Sequence, residues 1–177
     1  MSKKFLVTGG AGFIGSAFIR YIIKNTDHYI FNIDKLSYAS NLLNLKEVQK
    51  NTRYSFAKID VSNAFKIRAI LKKFKPDIIL HLAAETHVDR SIDNPISFIN
   101  SNIIGVYNLL ECFKEFSKKN KRTKLIHVST DEVFGDVISG RSDENYPYKP
   151  SSPYSASKAS SDHLVYSYVR TYKIPAI

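Results

Sequence analysis

The stretch Thr8-Gly-Gly-Ala-Gly-Phe-Ile-Gly15 decides the fold, because it joins the apolar run Phe5–Val7 to the helical pattern that follows it. A strand, a glycine turn and a helix in this order form the entrance to a dinucleotide-binding site. Gly9 provides the tight turn, Gly12 lets the backbone approach a pyrophosphate, and Gly15 lets the helix lie close to the strand. The unpaired N–H groups at the helix N-terminus then face the phosphates.

A second apolar run supports this interpretation. Tyr29-Ile-Phe-Asn-Ile-Asp34 reads as a strand and ends in a carboxylate about 20 residues after the last glycine, where a Rossmann unit places the acid that binds the adenosine ribose. Because its charge repels a 2′-phosphate, Asp34 predicts NAD rather than NADP. The adjacent Lys35 is the feature that would soften this preference.

Length and composition limit the protein class. With 177 residues, 44% hydrophobic and 24% charged, the chain fits one globular domain. No apolar run approaches the roughly 18 residues of a membrane span, and the chain enters a strand without a signal peptide, so we expect a cytoplasmic protein with no membrane partner. Cys112 is expected to be a buried structural thiol, and no Cys/His cluster has the spacing of a metal site.

The formal charge of +10 raises the question of a nucleic-acid partner. The two densest basic groups fall at the ends of predicted helices, where cations suit the helix dipole, and they lack the interleaved aromatic residues of a single-strand binding groove. These groups are Lys72/Lys73/Lys75 and Lys118/Lys119/Lys121/Arg122/Lys124. We therefore expect solvated helix ends and no nucleic-acid partner.

Strand and helix patterns alternate along the whole chain, which predicts a doubly wound α/β domain with a parallel sheet and helices on both faces. The expected strands are 4–8, 29–34, 53–59, 77–82 and 124–128, and the last residues, 172–177, read as the start of a sixth. The expected helices are 12–24, 42–50, 64–74, 95–119 and 154–172.

Residues just after each strand are the ones that meet a ligand in such a sheet. Ala83 and Ala84 let a cofactor pass close to the backbone, and Ser129-Thr130-Asp131-Glu132 places a hydroxyl beside two carboxylates. Tyr154 and Lys158 share one helix face, so the ammonium is expected to lower the pKa of the phenol and make it a usable base. His81 and His127 are expected to be core histidines, and His87 a loop residue.

The glycine turn together with Tyr154-x-x-x-Lys158 resembles the extended short-chain dehydrogenase/reductase family. More narrowly, four longer motifs resemble the sugar-nucleotide 4,6-dehydratases of that family that act on dTDP-glucose. They are Ile33-Asp-Lys-Leu-Ser-Tyr-Ala-Ser-Asn41, His81-Leu-Ala-Ala-Glu-Thr-His-Val-Asp-Arg-Ser91, Ser129-Thr-Asp-Glu-Val-Phe-Gly135 and Ser151-Ser-Pro-Tyr-Ser-Ala-Ser-Lys-Ala-Ser-Ser-Asp162. The departures are mild: Ser40 stands where that family usually has glycine, Thr86 where it often has serine, and Phe134 where it often has tyrosine.

The resemblance implies oxidation of the sugar at C4, loss of water across C5 and C6, and reduction at C6, with NAD regenerated. It assigns Tyr154 to the 4-hydroxyl proton, Glu132 to the C5 proton, and a protonated Asp131 to the departing C6 oxygen. Lys158 assists Tyr154 and holds the nicotinamide ribose, while Thr86 and Thr130 contact the sugar. The implied cofactor contacts are Gly9, Gly12, Phe13, Ile14, Gly15, Asp34, Lys35, Leu36, Ser37, Asp60, Val61, Leu82, Ala83, Ala84, Thr86, Ser101, Tyr154 and Lys158.

Members of that family run to roughly twice this length, so residues 1–177 are expected to be the NAD-binding domain with the catalytic motifs, truncated before the C-terminal substrate domain. Whether the chain is a fragment or a natural truncation stays open, as do a catalytically impaired NAD-binding remnant and a UDP- or CDP-sugar dehydratase. A 4-epimerase is disfavoured because it needs no elimination acid and base. The helices predicted over 95–119 and 154–172 carry apolar residues around their circumference, more than one sheet face can cover, which suggests a partner. These residues are Ile99, Ile103, Tyr107, Leu110, Phe113, Leu164, Val165, Tyr168 and Val169. The resemblance further implies a homodimer through a four-helix contact.

Overall fold

The computed structural model describes residues 2–177 and contains one parallel sheet of five strands in the order β3-β2-β1-β4-β5. This is the doubly wound order of a Rossmann fold. The predicted parallel α/β sheet is therefore confirmed, and each strand lies within one or two residues of its predicted bounds. The strands are β1 (Lys4–Thr8), β2 (Tyr29–Asp34), β3 (Tyr54–Lys58), β4 (Ile78–His81) and β5 (Lys124–His127).

Helices cover both faces of the sheet. They are α1 (Phe13–Asn25), α2 (Ala64–Phe74), α3 (Val88–Asp93), α4 (Pro95–Phe98), α5 (Gly105–Ser117) and α6 (Pro153–Tyr172), with a π-helical segment Ile99–Ile104 between α4 and α5 and 3₁₀ turns at Leu42–Leu45 and Asp131–Phe134. None of the helices in residues 2–177 is long and apolar enough to cross a bilayer.

Three helix predictions were wrong in detail. The helix predicted over 42–50 is a 3₁₀ turn, Leu42–Leu45, and α3 was not predicted. The helix predicted over 95–119 is interrupted by the π segment, which brings the adjacent Ser101 and Asn102 inward together. Ser101 and Asn102 supply hydroxyl and amide groups on the inner side of this segment.

Two apolar cores hold the layers together, because successive side chains of a strand point to opposite faces. On β1, Phe5 and Val7 pack beneath α1, whereas Leu6 packs on the other side against α2, α5 and α6. Cys112 lies in the second core, where burial raises the pKa of its thiol to about 11. The prediction of a buried structural thiol is confirmed.

The ends of α6 are well defined. Ser152 forms a capping box with Ser155, Pro153 occupies the first turn, and Lys173 ends the helix in the left-handed conformation. The chain then lies beside β5, where the amide of Leu125 donates to the carbonyl of Pro175 at 3.0 Å and Leu125 forms a parallel bridge with Ala176. Of the residues predicted to start a sixth strand, only Ala176 forms such a bridge, and Tyr172 still belongs to α6.

Candidate functional site

A cleft of about 490 Å³ lies at the carboxyl ends of the five strands, where a doubly wound sheet places its ligands. All the predicted cofactor residues line it except Leu36, whose backbone lies in the left-handed region. Of the predicted catalytic and substrate residues, Thr86, Thr130, Tyr154 and Lys158 line it as well. The structure adds residues that the sequence reasoning missed, namely Ile33, Ala39, Ser40, Ile59, Val128 and Ser129.

The glycine turn is packed against the loop that follows β4. Gly9 has a φ of 71°, and a Cβ there would lie 2.6 Å from the Ala83 amide nitrogen. That amide donates to the Thr8 hydroxyl at 3.1 Å. A Cβ on Gly15 would collide with the Gly9 carbonyl, so the close approach of α1 to the turn needs a glycine there. The turn and the β4 loop therefore form one shallow floor without side chains.

Asp34 is buried and holds the far end of this floor. Its Oδ2 accepts the Ala11 amide at 2.9 Å, and its Oδ1 accepts the Leu36 amide and the Ser40 hydroxyl, both at 2.8 Å. The carboxylate thus fixes the loop after β2 to the glycine turn. The sequence located Asp34 but gave no signal that Ser40 contacts it.

Lys35 is engaged on the opposite side of this loop. Its ammonium lies 2.5 Å from the buried Glu85 carboxylate and donates to the Ser101 hydroxyl at 2.7 Å. The Asn102 side chain accepts the Glu85 amide at 2.8 Å and donates to the Glu85 carbonyl and the Ser157 hydroxyl, both at 2.9 Å. This network ties the loops after β2 and β4 to α6 through the π segment.

Tyr154 and Lys158 both lie buried at the inner wall of the cleft. Burial raises the pKa of Tyr154, and the Glu132 and Asp131 carboxylates act in the same direction, against the nearby Thr130 hydroxyl. Lys158 donates to the Val128 carbonyl at 2.5 Å, and burial lowers the pKa of its ammonium. The pKa of the phenol is thus raised in the chain by itself, not lowered as expected, because burial outweighs the contact with the Thr130 hydroxyl.

Thr130, Asp131 and Glu132 follow β5 as predicted, and Thr130 caps the 3₁₀ turn by accepting the Glu132 amide at 3.3 Å. Both carboxylates are exposed on this turn and do not line the cleft. They stand next to Thr130, which does line it, so they meet a ligand only where it extends outward from the cleft.

Asp162, one turn after Lys158 on α6, is the hub of a second polar network. Its carboxylate accepts His127 Nε2 and the Tyr148 hydroxyl, each at 3.1 Å, and also the Ser129 hydroxyl. Burial alone would raise the pKa of Asp162, but these hydrogen bonds hold the pKa below its usual value. Asp162 therefore joins β5, the loop that carries Thr130, and the loop before α6.

His81 and His127 are neighbours in the β4–β5 register, and their rings stack with centroids 5.5 Å apart. Burial lowers the pKa of both imidazoles, so both are neutral. The prediction of core histidines is confirmed, although His81 Nε2 and His127 Nδ1 have no hydrogen-bond partner within residues 2–177.

The fold and the cleft define a Rossmann-type dinucleotide-binding domain with a tyrosine–lysine pair. The family model for GDP-mannose 4,6 dehydratase matches residues 6–177, and the chain belongs to this family. It is 50% identical to a dTDP-glucose 4,6-dehydratase of Neisseria meningitidis over 99% of its own length and 51% of that protein. It is also 50% identical to the enzyme of that name from Haemophilus influenzae, over 97% of this chain and 53% of that one.

Among solved structures, the dTDP-glucose 4,6-dehydratase of Streptomyces venezuelae with NAD and TYD bound superposes with a TM-score of 0.91 at 39% identity. The match covers 98% of this chain and 53% of that one. The resemblance stated from the motifs is confirmed. The chain spans about half the length of the relatives it matches.

Proposed function

We propose that this chain is the NAD-binding half of a dTDP-glucose 4,6-dehydratase and carries its catalytic residues. The observation that carries the proposal is a single cleft that unites the side-chain-free floor at Gly9, the buried Asp34, and Tyr154 with Lys158. Relatives that share about half of its residues bear this enzyme name, and one solved relative was determined with NAD bound.

The cleft suits NAD in shape and charge. The glycine turn at the start of α1 offers backbone N–H groups to a pyrophosphate. On the opposite side of the cleft, the small side chains of Ala83 and Ala84 leave room for the cofactor. Asp34 closes the adenosine end with a negative charge, which favours a free ribose over a 2′-phosphate. Lys35, the residue that would have softened this preference, is paired with Glu85.

At the inner end, Tyr154 is assigned to take the proton of the sugar 4-hydroxyl, and Thr130 to hydrogen-bond the 4-oxygen. NAD, when bound, supplies hydride acceptance at C4 and hydride return at C6. Lys158 lies one helical turn after Tyr154 on α6 and is assigned to assist it, because a nearby cation favours the phenolate.

The elimination of water is assigned to the exposed carboxyl groups of Asp131 and Glu132. Glu132 takes the C5 proton, which becomes acidic once C4 is a ketone, and a protonated Asp131 donates to the departing C6 oxygen. Two neighbouring carboxyl groups act as base and acid when their surroundings separate their pKa values.

Residues 1–177 form the NAD domain in this proposal, and the residues that bind the nucleotide base lie outside them. Because remote contacts help position the reacting carbon, the 177-residue chain is expected to turn over dTDP-glucose feebly or not at all. The names of the relatives favour this function over a non-catalytic remnant and over a UDP- or CDP-sugar substrate.

We further propose a cytoplasmic homodimer through a four-helix contact. Of the apolar residues that the sequence places around these helices, Leu110, Phe113, Val165 and Tyr168 are buried in the domain's own core. Exposed apolar side chains nevertheless remain along the same helices, at Ile96, Ile99, Ile104, Tyr107 and Tyr166. They offer a face for a second copy.

The proposal is tested by incubating purified chain with NAD and dTDP-glucose and measuring the alkaline absorbance of a 4-keto-6-deoxy sugar. Product should form very slowly, and Tyr154→Phe should abolish it. Turnover near 1 s⁻¹, an ordinary value for an enzyme, would show that the other half is dispensable. Product that persists in Tyr154→Phe would contradict the role of the phenol.

A further inference from the structure

Ser40 is the one cleft residue that both departs from the resembled motif and bonds to a predicted cofactor residue. Its hydroxyl donates to Asp34 Oδ1 at 2.8 Å, and both residues line the cleft. A glycine at this position cannot make that bond. We infer that Ser40 restricts the hydrogen bonding of Asp34 to the adenosine ribose and so sets how tightly the chain holds NAD, an inference that rests on the proposed function.

Asp34 has a limited capacity to accept hydrogen bonds. A carboxylate accepts about four hydrogen bonds, two on each oxygen. Oδ1 already accepts the Leu36 amide and the Ser40 hydroxyl, and Oδ2 accepts the Ala11 amide. Oδ1 is therefore filled, and Oδ2 has one position left. A ribose has two adjacent hydroxyl groups, so only one of them finds a free acceptor position on Asp34.

The loop does not depend on the Ser40 hydroxyl for its shape. The Ser40 amide donates to the Ser37 carbonyl at 3.0 Å, and the Asn41 amide donates to the Ala11 carbonyl at 2.9 Å. The Leu36 amide holds the start of the loop to Asp34. These backbone bonds remain when the hydroxyl is removed, so Ser40→Ala frees a position on Oδ1 and leaves the loop in place.

The consequence is an unusual direction of change: the loss of a side-chain hydrogen bond strengthens ligand binding. Ser40→Ala should bind NAD about three- to tenfold more tightly, the range that one additional net hydrogen bond provides. NADP should not gain, because the freed position belongs to a negative oxygen. The ratio of NAD to NADP affinity should therefore widen by the same factor.

The experiment is a calorimetric titration of NAD into wild type, Ser40→Ala, Ser40→Thr and Ser55→Ala. Ser40→Thr keeps the hydroxyl and should stay within about twofold of wild type. Ser55 is an exposed serine on the edge strand β3 and provides the matched control. NAD analogues that lack the 2′- or the 3′-hydroxyl of the adenosine ribose form a second series. For wild type, only one of the two analogues should bind more weakly than NAD. For Ser40→Ala, each of the two analogues should bind more weakly than NAD.

Thermal unfolding without ligand separates this role from a structural one. Ser40→Ala should unfold at the wild-type temperature or slightly below it while binding NAD more tightly, whereas a structural residue would lower both stability and affinity. Equal or weaker NAD binding by Ser40→Ala, with its fold intact, overturns the inference and leaves the proposed function standing. A wild-type chain that binds no NAD overturns both.

Discussion

Replacing Asp162 should loosen the loop after β5, which carries Thr130 and the proposed catalytic pair Asp131 and Glu132. Its carboxylate accepts hydrogen bonds from His127, Ser129 and Tyr148, which belong to β5 and two separate loops. Hydrogen bonds to a charged group contribute about 1.5–3 kcal/mol each, and the desolvation of a largely buried carboxylate offsets several kcal/mol of that total. We therefore expect Asp162→Ala to lower the free energy of unfolding by about 3 kcal/mol.

For a chain of this length, such a loss corresponds to a fall in melting temperature of about 6–12 °C. Asp162→Asn keeps one acceptor oxygen and should lose about half as much. Both are measured by thermal unfolding at pH 7, with Asp27→Ala, an exposed aspartate, as the control. Hydrogen exchange should accelerate at Ser129 and Thr130 in Asp162→Ala.

The same substitution has a pH signature. Because the pKa of Asp162 is lower in the folded chain, its stabilisation is complete above the unfolded value, about 3.9. It is lost as the pH falls through the folded-state pKa, so the gap between wild type and Asp162→Asn should shrink in acid. A stability within about 0.5 kcal/mol of wild type for Asp162→Ala at pH 7, the range of an ordinary surface substitution, would refute this account of the hub.

Three further predictions concern the cofactor cleft and the core. Asp34→Ala should weaken NAD binding by about tenfold or more and narrow the gap to NADP, as titration calorimetry would show; an unchanged NAD affinity would contradict its position at the ribose. Gly9→Ala should destabilise the chain by at least about 1–3 kcal/mol in denaturant unfolding, because its φ is 71° and a Cβ would meet Ala83; unchanged stability would show that the turn tolerates a side chain. Cys112, with its thiol pKa at about 11, should resist iodoacetamide at pH 8 and react once the chain is unfolded in urea, as mass spectrometry would show. Rapid labelling of the folded chain would contradict the burial of this thiol.

Much of the fold follows from local sequence. The β1 run, the glycine turn and the helical pattern after it suffice to place the first strand–helix unit, because each depends on neighbours within a few residues. The Asp34 carboxylate and the Tyr154 motif also located two further parts of the candidate site. Apolar runs in the sequence also predicted the strands, because a buried parallel strand is nearly continuous in apolar residues.

What the sequence did not show depends on contacts between distant residues. Burial by residues far along the chain raises the pKa of Tyr154, and the Lys158 ammonium bonds to Val128, 30 residues earlier. In the π segment, the Asn102 side chain accepts a hydrogen bond from the Glu85 amide. The helical periodicity of the sequence does not indicate this interruption of the helix. The sequence shows that Leu110 and Val165 are apolar, but it does not show that α5 and α6 cover the same core, in which both are buried.

The account's central claim is that the cleft binds NAD through the glycine turn and Asp34. Its most direct test is a calorimetric titration of purified chain with NAD and, separately, with NADP. The account predicts saturable one-to-one binding of NAD and clearly weaker binding of NADP. No heat of binding with NAD from a folded chain, or tighter binding of NADP, would contradict it.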